Sequence, residues 1–257
     1  MVQNNLFFQP YKGCHFDNGF KYNESAKPVK LMVLGASFYC DLSNCKYYNK
    51  CTVNSKECDD KCPAEGYLGS NENDKRGMYL HDSPAIEIES YLEGAYYPTY
   101  DRFVKVILNL SQTPQTSEKE KVWKYVMFNN YIQHFIKTVT TPQYNKNQEL
   151  FDNDFDGILS MIKSNAIECV VVWGKPVRDA MKANFEKQNI AIRDLDNKNF
   201  NHKIKIDNQE IVFCYFDHPS CRTFMTKQSK EEHHKYFIEA LQNAGKLSQN
   251  NNKITQP

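Results

Sequence analysis

A chain of 257 residues is long enough to bury a full hydrophobic core, as one large domain or two small ones. Its charged fraction of 25% and aromatic fraction of 13% are typical of a globular protein, and its net charge of +1 excludes a protein that coats nucleic acid by bulk electrostatics. No apolar run approaches the ~20 residues that cross a bilayer, and the amino terminus does not resemble a signal peptide, so we expect a cytoplasmic protein without a membrane partner.

Buried strands are predicted where apolar runs end in loops. Continuous apolar, β-branched runs are typical of parallel strands that are covered on both faces. Four runs fit this description: LMVL at 31–34, YVMFNNYIQ at 125–133 with the carboxyl end of the strand at the asparagines, ECVVVW at 168–173 and the second arm of the hairpin HKIKIDNQEIVFCYF at 202–216. Cys169 and Cys214 lie within these runs, and we interpret them as small buried hydrophobic residues.

Helical patterns lie between and after these strands. The predicted helices are SPAIEIESYLEGAYY (83–97), YDRFVKVILNLS (100–111), TSEKEKVWK (116–124), QELFDNDFDGILSMIKSN (148–165), PVRDAMKANFEKQ (176–188) and KQSKEEHHKYFIEALQNAG (227–245). A capping box at Thr116 or Ser117 is expected to begin the third. In the last helix we assign His233 and His234 to the solvated face.

Strands and helices alternate along the chain, which predicts an α/β fold. We expect a three-layer sandwich around a central, mostly parallel four-stranded sheet. No internal repeat or long linker divides the chain. Residues 1–245 are therefore predicted to form a single domain, with a cysteine-rich insertion at about 40–65 and a disordered tail at 246–257. Ligands of such sheets bind beyond the carboxyl ends of the strands.

The loops that follow the four predicted strands read GASFYC, NNYIQ, GKPV and DHPSCRTF. Together they supply a histidine, amides, aromatic rings, hydroxyls and basic groups. The chain has no Walker loop, GxGxxG, GxSxG or HExxH sequence, so the usual nucleotide, hydrolase and zinc-protease sites have no support. A plain turn needs Gly, Asn or Asp rather than a histidine held by a proline, which makes DHPSCRTF a candidate site.

In their order along the chain, VLGASFYC, VMFNNYIQ, VVVWGKPV and DHPSCRTF resemble the motifs of the uracil-DNA glycosylase superfamily. In that family the first loop positions the attacking water, and the second strand ends in an asparagine that reads the base. A later strand runs into a W-G turn and the last one into H-P-S. The resemblance spans residues 28–245 and implies a uracil-DNA glycosylase-like fold. It also implies a monofunctional DNA glycosylase, with water as nucleophile, acting on a deaminated or modified pyrimidine.

The resemblance assigns the H-P-S turn to the departing base and to DNA. His218, stiffened by Pro219, is expected to donate a hydrogen bond to the base as negative charge develops there. Ser220 is expected to hold a flanking phosphate. The other expected DNA contacts are Lys175 and Arg222 at phosphates and Phe224 or Met225 as an apolar wedge. The alternative is a rigid turn with a capping serine.

The base pocket is expected at the first two loops. Asn129 or Asn130 is expected to read the pairing edge of the pyrimidine, with the register open; the alternative is an amide that satisfies loop backbone. Small side chains at Ala36 and Ser37 leave volume for a base larger than uracil, such as a hydroxymethylated or glycosylated pyrimidine of phage DNA. The remaining expected pocket residues are Gly35, Phe38 and Tyr39, the two aromatic rings stacking on or enclosing the base.

The first loop departs from the family at Ser37, where uracil-removing members place an aspartate or asparagine. A serine can hold a water but cannot stabilise a developing cation by charge. Three alternatives follow. A displaced acid, Asp41 or Asp217, assists the water; or His218 and substrate activation suffice at a slower rate; or the protein binds without catalysing. Asp217 is also a candidate charge partner for His218.

Five cysteines cluster in the insertion, at Cys40, Cys45, Cys51, Cys58 and Cys62. Reducing cytosol disfavours disulfides. The spacing C-x4-C-x5-C-x6-C-x3-C matches neither a paired C-x2-C zinc knuckle nor the iron–sulfur arrangement of some superfamily members. A structural zinc held by four of the five is our leading expectation, ahead of an iron–sulfur cluster and of unligated thiols. The chemistry itself requires no cofactor.

Three classes of function therefore compete. The first is a DNA glycosylase, acting as a monomer in repair or in defence against foreign DNA. The second is a catalytically inactive DNA-binding module of the same fold, which Ser37 supports. The third is a small-molecule hydrolase on a flavodoxin-like sheet.

Overall fold

The computed structural model describes residues 8–37, 83–133, 151–196 and 200–247. In this part of the chain seven strands form one mixed sheet, in the spatial order first, third, second, fourth, seventh, sixth, fifth. They are β1 (Tyr11–Lys12), β2 (Leu31–Gly35), β3 (Val126–Asn130), β4 (Cys169–Trp173), β5 (Ile192–Asp194), β6 (Asn201–Ile206) and β7 (Gln209–Phe216).

The four predicted strands form the centre of this sheet. β2 pairs in parallel with β3 and β4, and β4 pairs in parallel with β7. The prediction of a four-stranded sheet is wrong in number, because three antiparallel strands extend it to seven. β1 pairs with β3 at one edge, and β6 and β5 continue from β7 at the other. β1 and β5 have two and three residues, too few to produce a periodic pattern in the sequence.

Six α-helices among the described residues confirm the predicted helical segments: α1 (Ser83–Leu92), α2 (Pro98–Ile107), α3 (Thr116–Trp123), α4 (Phe155–Ser164), α5 (Lys175–Lys187) and α6 (Lys227–Asn243). Short 3-10 segments occupy Phe16–Asn18 and Arg222–Met225. The capping box of α3 begins one residue earlier than expected, at Gln115, whose backbone N–H donates to the Glu118 carboxylate at 2.7 Å. The helix therefore begins with a capping box, as predicted, but its N-cap residue is Gln115.

Helices cover both faces of the sheet, because alternate strand residues enter two separate cores. Leu31 and Val33 of β2 pack in a cluster with residues of α1, α2, α3 and α6. Met32 and Leu34 pack on the other face with residues of α4 and α5. Every residue of β2, β3 and β4 is buried, as expected for parallel strands between two helical layers. The arrangement is compatible with the predicted three-layer α/β sandwich.

The placement of His233 and His234 on a solvated face is wrong. Their side chains are only 3% and 6% exposed, since α6 lies against α2 and the sheet. His234 Nδ1 lies 2.8 Å from the Val106 carbonyl and donates to it. Burial lowers the pKa of both imidazoles, so each is neutral and held by hydrogen bonds.

Lys246 and Leu247, which the sequence had placed in the tail, belong to the folded structure. Leu247 is buried in the core, and Lys246 forms a 2.6 Å ion pair with Glu168. Cys169 and Cys214 are buried thiols, as predicted. No helix among the described residues is long and apolar enough to span a membrane.

Candidate functional site

The four candidate loops begin at one edge of the sheet. Gly35 of β2 is level with Asn130 of β3, and Trp173 of β4 is level with Phe216 of β7. The first two loops stay paired beyond the strands, because the backbone N–H of Tyr131 donates to the Gly35 carbonyl at 2.9 Å. The parallel centre of the sheet thus brings loops from four distant parts of the sequence to its carboxyl edge.

Asn129 and Asn130 point to opposite faces of the sheet and have different partners. Asn129 is fully buried on the α4 side, where its amide donates to the Phe8 carbonyl at 3.2 Å. Its Oδ1 accepts a hydrogen bond from the backbone N–H of Asn130 at 2.9 Å. Both ends of the Asn129 amide are therefore used within the fold.

The Asn130 side chain makes no hydrogen bond to another described residue, although it is only 5% exposed. It lies across the end of β2, because a Cβ on Gly35 would come within 2.1 Å of Asn130 Oδ1. A glycine is needed there for the amide to fit. Its amide is not among the fully buried polar atoms that lack a partner, so it is open to the edge of the sheet. Because both ends of the Asn129 amide are used within the fold and the Asn130 amide is not, Asn130 is the better candidate reader of the two.

His218 lies beside the end of β4. Its imidazole packs edge-on against Trp173, with ring centroids 5.9 Å apart, and its Cβ is 3.5 Å from where a Gly174 Cβ would be. The Nε1 of Trp173 is buried without a hydrogen-bond partner in the described part of the chain. Asn130 ends β3 and His218 follows β7, three strand positions away, which is about 14 Å. Their side chains lie over the ends of β2 and β4, which are neighbours in the sheet, so the two groups face the space between these strand ends.

The protonation of His218 follows from its contacts with Ser220. The backbone N–H of Ser220 donates to Nδ1 at 3.2 Å, so Nδ1 carries a lone pair, and the Ser220 hydroxyl, 2.7 Å away, donates to the same atom. In the neutral ring the proton is therefore on Nε2. Burial lowers the pKa of His218 to about 4, which keeps this tautomer at neutral pH. The turn thus presents a neutral N–H donor.

Asp217 is directed to His233, in contrast to its expected pairing with His218. Its backbone N–H donates to His233 Nε2 at 2.8 Å, and its carboxylate lies 3.8 Å from the same nitrogen. His233 Nδ1 lies 2.6 Å from the Ser229 carbonyl and donates to it. The imidazole of α6 therefore ties the start of the turn to the last helix, and the sequence prediction missed it.

Arg102 fixes the turn from another side. Its Nη1 donates to the Pro219 carbonyl at 2.9 Å, across 117 positions of sequence. Nothing in the local sequence relates these residues, because Arg102 lies on α2 and Pro219 follows β7. The only available signal was an arginine on the face opposite the apolar stripe of α2, which is common on surface helices.

The predicted DNA contacts have different exposures. Lys175, at the start of α5, and Arg222 are exposed. Phe224 is completely buried and packs against Phe216 and His233, so its expected role as an apolar wedge is wrong for this conformation. The next residue, Met225, is half-buried and remains the candidate wedge. Phe224 points inward because it closes the core beneath the turn.

The first loop is described only as far as Ser37, which is 8% exposed and has a partner. Ala36 packs at the margin of the core on the α4 side, and its carbonyl accepts a hydrogen bond from the Ile132 N–H at 2.9 Å. Several predicted site residues lie outside the described residues: Phe38, Tyr39, Asp41, Cys40, Cys45, Cys51, Cys58 and Cys62. Within the described part, no group of three or more His, Cys, Asp or Glu could hold a metal ion.

A cavity of about 450 Å³ lies at the opposite, amino edge of the sheet. Asp17, Lys30 and Glu168 line it, and they already have partners in the fold. Lys30 Nζ pairs with Asp17 at 2.9 Å, and the Lys30 backbone N–H donates to Glu168 at 3.0 Å. Because these charged groups are already paired with each other, they have a structural role at the strand ends. We therefore place the candidate site at the carboxyl edge.

No protein-family model matches the chain, and no curated protein is significantly similar to it. The uracil-DNA glycosylase assignment therefore remains a hypothesis. It is carried by the four motifs and by the arrangement of His218 and Asn130 at one edge of the sheet.

Proposed function

We propose that the protein is a DNA glycosylase of the uracil-DNA glycosylase type, which hydrolyses the N-glycosidic bond of a flipped-out deaminated or modified pyrimidine. The observation that carries the proposal is the neutral His218 ring, whose Nε2–H donor is set by the contacts of Ser220 with Nδ1. The unpartnered amide of Asn130 at the same edge supports it.

His218 is well suited to the departing base. When the bond between C1′ and the base nitrogen breaks, its electron pair goes to the base, and negative charge spreads to the ring oxygens. An N–H donor placed in advance stabilises this charge without reorganisation. Water adds to C1′ and releases a proton to solvent, and the departing base anion takes up a proton from solvent, so the products are the free base and an abasic sugar. A neutral imidazole serves as donor without first having to be protonated.

Asn130 is suited to reading the base. A side-chain amide donates and accepts together, which matches the adjacent carbonyl and N–H groups on the pairing edge of uracil. In this proposal Asn129 is structural, because it joins β3 to the Phe8 carbonyl. The aromatic cluster beneath the site, including Phe128 and Trp173, would form an apolar floor for the base.

The activation of water has no acid among the predicted residues that the structure describes. Ser37 replaces the family's carboxylate or amide, and Asp217 is directed to His233. The proposal therefore relies on stabilisation of the leaving base by His218, with Asp41 as the displaced acid of the first loop. A slower reaction than that of uracil-removing enzymes with an acid in this loop is the expected consequence.

The test is alkali-induced strand scission of oligonucleotides that contain uracil, hypoxanthine, hydroxymethylcytosine or glucosylated cytosine. The wild type, His218→Ala and a control, His15→Ala, are compared. His15 is exposed at the amino edge of the sheet, where its N–H bonds the Lys124 carbonyl. We expect scission of at least one substrate that is lost in His218→Ala and retained in His15→Ala. Scission by both variants would remove His218 from the mechanism.

An inactive DNA-binding module of the same fold is the second candidate, and Ser37 favours it. The two are separated by turnover. A glycosylase releases more free base than there is protein, whereas a module binds its DNA stoichiometrically and leaves the glycosidic bond intact. DNA binding without scission of any substrate would therefore select the module.

A further inference from the structure

Arg102 is one of four half-buried cations among the described residues that have no carboxylate within 4.0 Å, the others being Lys105, Lys182 and Lys230. Of the four, Arg102 donates a hydrogen bond to the H-P-S turn. A half-buried cation normally has an anionic partner, because removing a charge from water is costly. Lys30, Lys119 and Lys246 follow this rule, each with a carboxylate within 4.0 Å. Arg102 is half-buried as well, yet no carboxylate of a described residue lies within that distance.

The one hydrogen bond of the Arg102 guanidinium to a described residue goes to the Pro219 carbonyl, at 2.9 Å. A guanidinium has five N–H donors in a planar fork, so most of its donors remain available. The Arg102 guanidinium contacts the H-P-S turn at Pro219, which precedes Ser220, the residue that fixes the His218 tautomer. Lys105 lies one helical turn further along α2 and adds a second cation on this helix.

In this structure Ser220 directs its donors to His218 rather than to the phosphate contact that the family resemblance gave it. Its backbone N–H and its hydroxyl are both directed to His218 Nδ1. A hydroxyl has one proton, so donating to a phosphate would remove it from the imidazole. The two roles compete, and the geometry resolves the competition in favour of His218.

We infer that Arg102 binds the DNA phosphate next to the flipped nucleotide and that Ser220 is a positioning residue for His218. The inference rests on the proposed function, since it assigns a DNA contact to the same site. Phosphate in the guanidinium fork would provide the anion that the fold lacks, and the contact to Pro219 would connect backbone binding to the orientation of the turn.

The experiment measures the salt dependence of DNA binding. The probe is a fluorescein-labelled duplex with a tetrahydrofuran abasic-site analogue, and the dissociation constant is measured by anisotropy between about 50 and 200 mM salt. Wild type, Arg102→Gln, Arg102→Lys and the control Lys121→Gln are compared. Lys121 is an exposed cation of α3 without a carboxylate partner among the described residues, at the amino side of the sheet.

Losing one phosphate contact lowers the slope of log K against log salt by about 0.9. We expect this loss for Arg102→Gln, together with binding that is about tenfold weaker in low salt. Arg102→Lys and Lys121→Gln should keep the wild-type slope. Arg102→Gln with the wild-type slope would overturn the inference and leave the proposed function standing. Wild type that does not bind the duplex in low salt would refute the proposed function itself.

A second measurement uses only wild-type protein, in case Arg102→Gln does not fold. Phenylglyoxal modifies accessible arginines, and peptide mass spectrometry locates the adducts. The duplex should protect Arg102 and leave the exposed Arg193 of β5 reactive. Equal modification of Arg102 with and without DNA would contradict the assignment.

Discussion

Replacing His218 by glutamine should change how the stability of the protein depends on pH. The half-buried imidazole has a pKa of about 4 in the folded chain and an ordinary value of 6.5 in the unfolded chain. Below pH 6.5 the His218 side chain therefore binds a proton in the unfolded state, whereas in the folded state it binds that proton only near pH 4. The contribution of His218 to the free energy of unfolding is complete above pH 6.5 and is lost as the pH falls towards 4.

The two pKa values give the size of this effect. Between pH 7 and pH 5 the loss attributable to His218 amounts to about 2 kcal/mol, and it approaches about 3 kcal/mol near pH 4. His218 is half-buried, so contact with solvent makes these figures upper values. His233 and His234 add losses of the same sign, because burial lowers the pKa of each. The effect of His218 must therefore be isolated by difference.

Urea unfolding of wild type and His218→Gln at pH 7 and pH 5 isolates it. The double difference between variants and pH values cancels the contributions of His233 and His234. We expect the wild type to lose up to about 2 kcal/mol more than the variant on acidification. Equal losses would show that His218 titrates normally. They would thereby remove the argument that its neutral tautomer is maintained by the fold.

Three further predictions concern other parts of the fold. Asn129→Ala should lower the free energy of unfolding, measured in urea, by about 1–3 kcal/mol, because the Phe8 carbonyl and the Asn130 backbone N–H lose their hydrogen-bond partner. Asn130→Ala should lower it less, and it should abolish discrimination between bases. Burial raises the pKa of Asp154 to about 6, so the contribution of Asp154 to the free energy of unfolding should fall as the pH rises from about 4 to 6, opposite in sign to that of the histidines. Urea unfolding of wild type and Asp154→Asn at pH 4 and pH 8 should show, as a double difference, that the variant lacks up to about 2 kcal/mol of this loss. Ala166 is exposed and has a φ of 51°, a left-handed conformation that favours glycine. Ala166→Gly should therefore raise the thermal midpoint of unfolding and stabilise the folded protein by about 1 kcal/mol. A lowered midpoint would contradict this.

The buried centre of the fold was predictable because its strands are apolar throughout. β2 and β4 have bounds close to those read from LMVL and ECVVVW, since strands covered on both faces carry their signal in every residue. β1 and β5 had no such signal. Each is an edge strand of two or three residues, and it exists because β3 or β6 offers unpaired backbone groups. Whether such a short edge strand forms depends on the partner strand, and so its own sequence does not predict it.

The site was predictable in its motifs and unpredictable in its contacts. Sequence placed Asn129 and Asn130 at a strand end, but only the alternation of faces in β3 shows which amide is used internally. Arg102 and His233 reach the turn from helices far along the chain, and neither belongs to a motif. Asp217, expected beside His218, contacts His233 across the fold, whereas Ser220 contacts His218 within the turn itself.

The neutral state of His218 bears on whether the site catalyses or only binds. The turn is anchored on three sides, by Gly174 N–H to the Phe216 carbonyl, by Arg102 and by His233. A rigid turn would suit both a binding module and an enzyme. The charge state of His218, in contrast, differs in value between the two. A module that only binds a polyanion gains affinity from a protonated imidazole, whereas this site keeps the ring neutral far below its ordinary pKa. In the proposed glycosylase a neutral donor forgoes that affinity, and its advantage would be the stabilisation of charge that appears only when the glycosidic bond breaks.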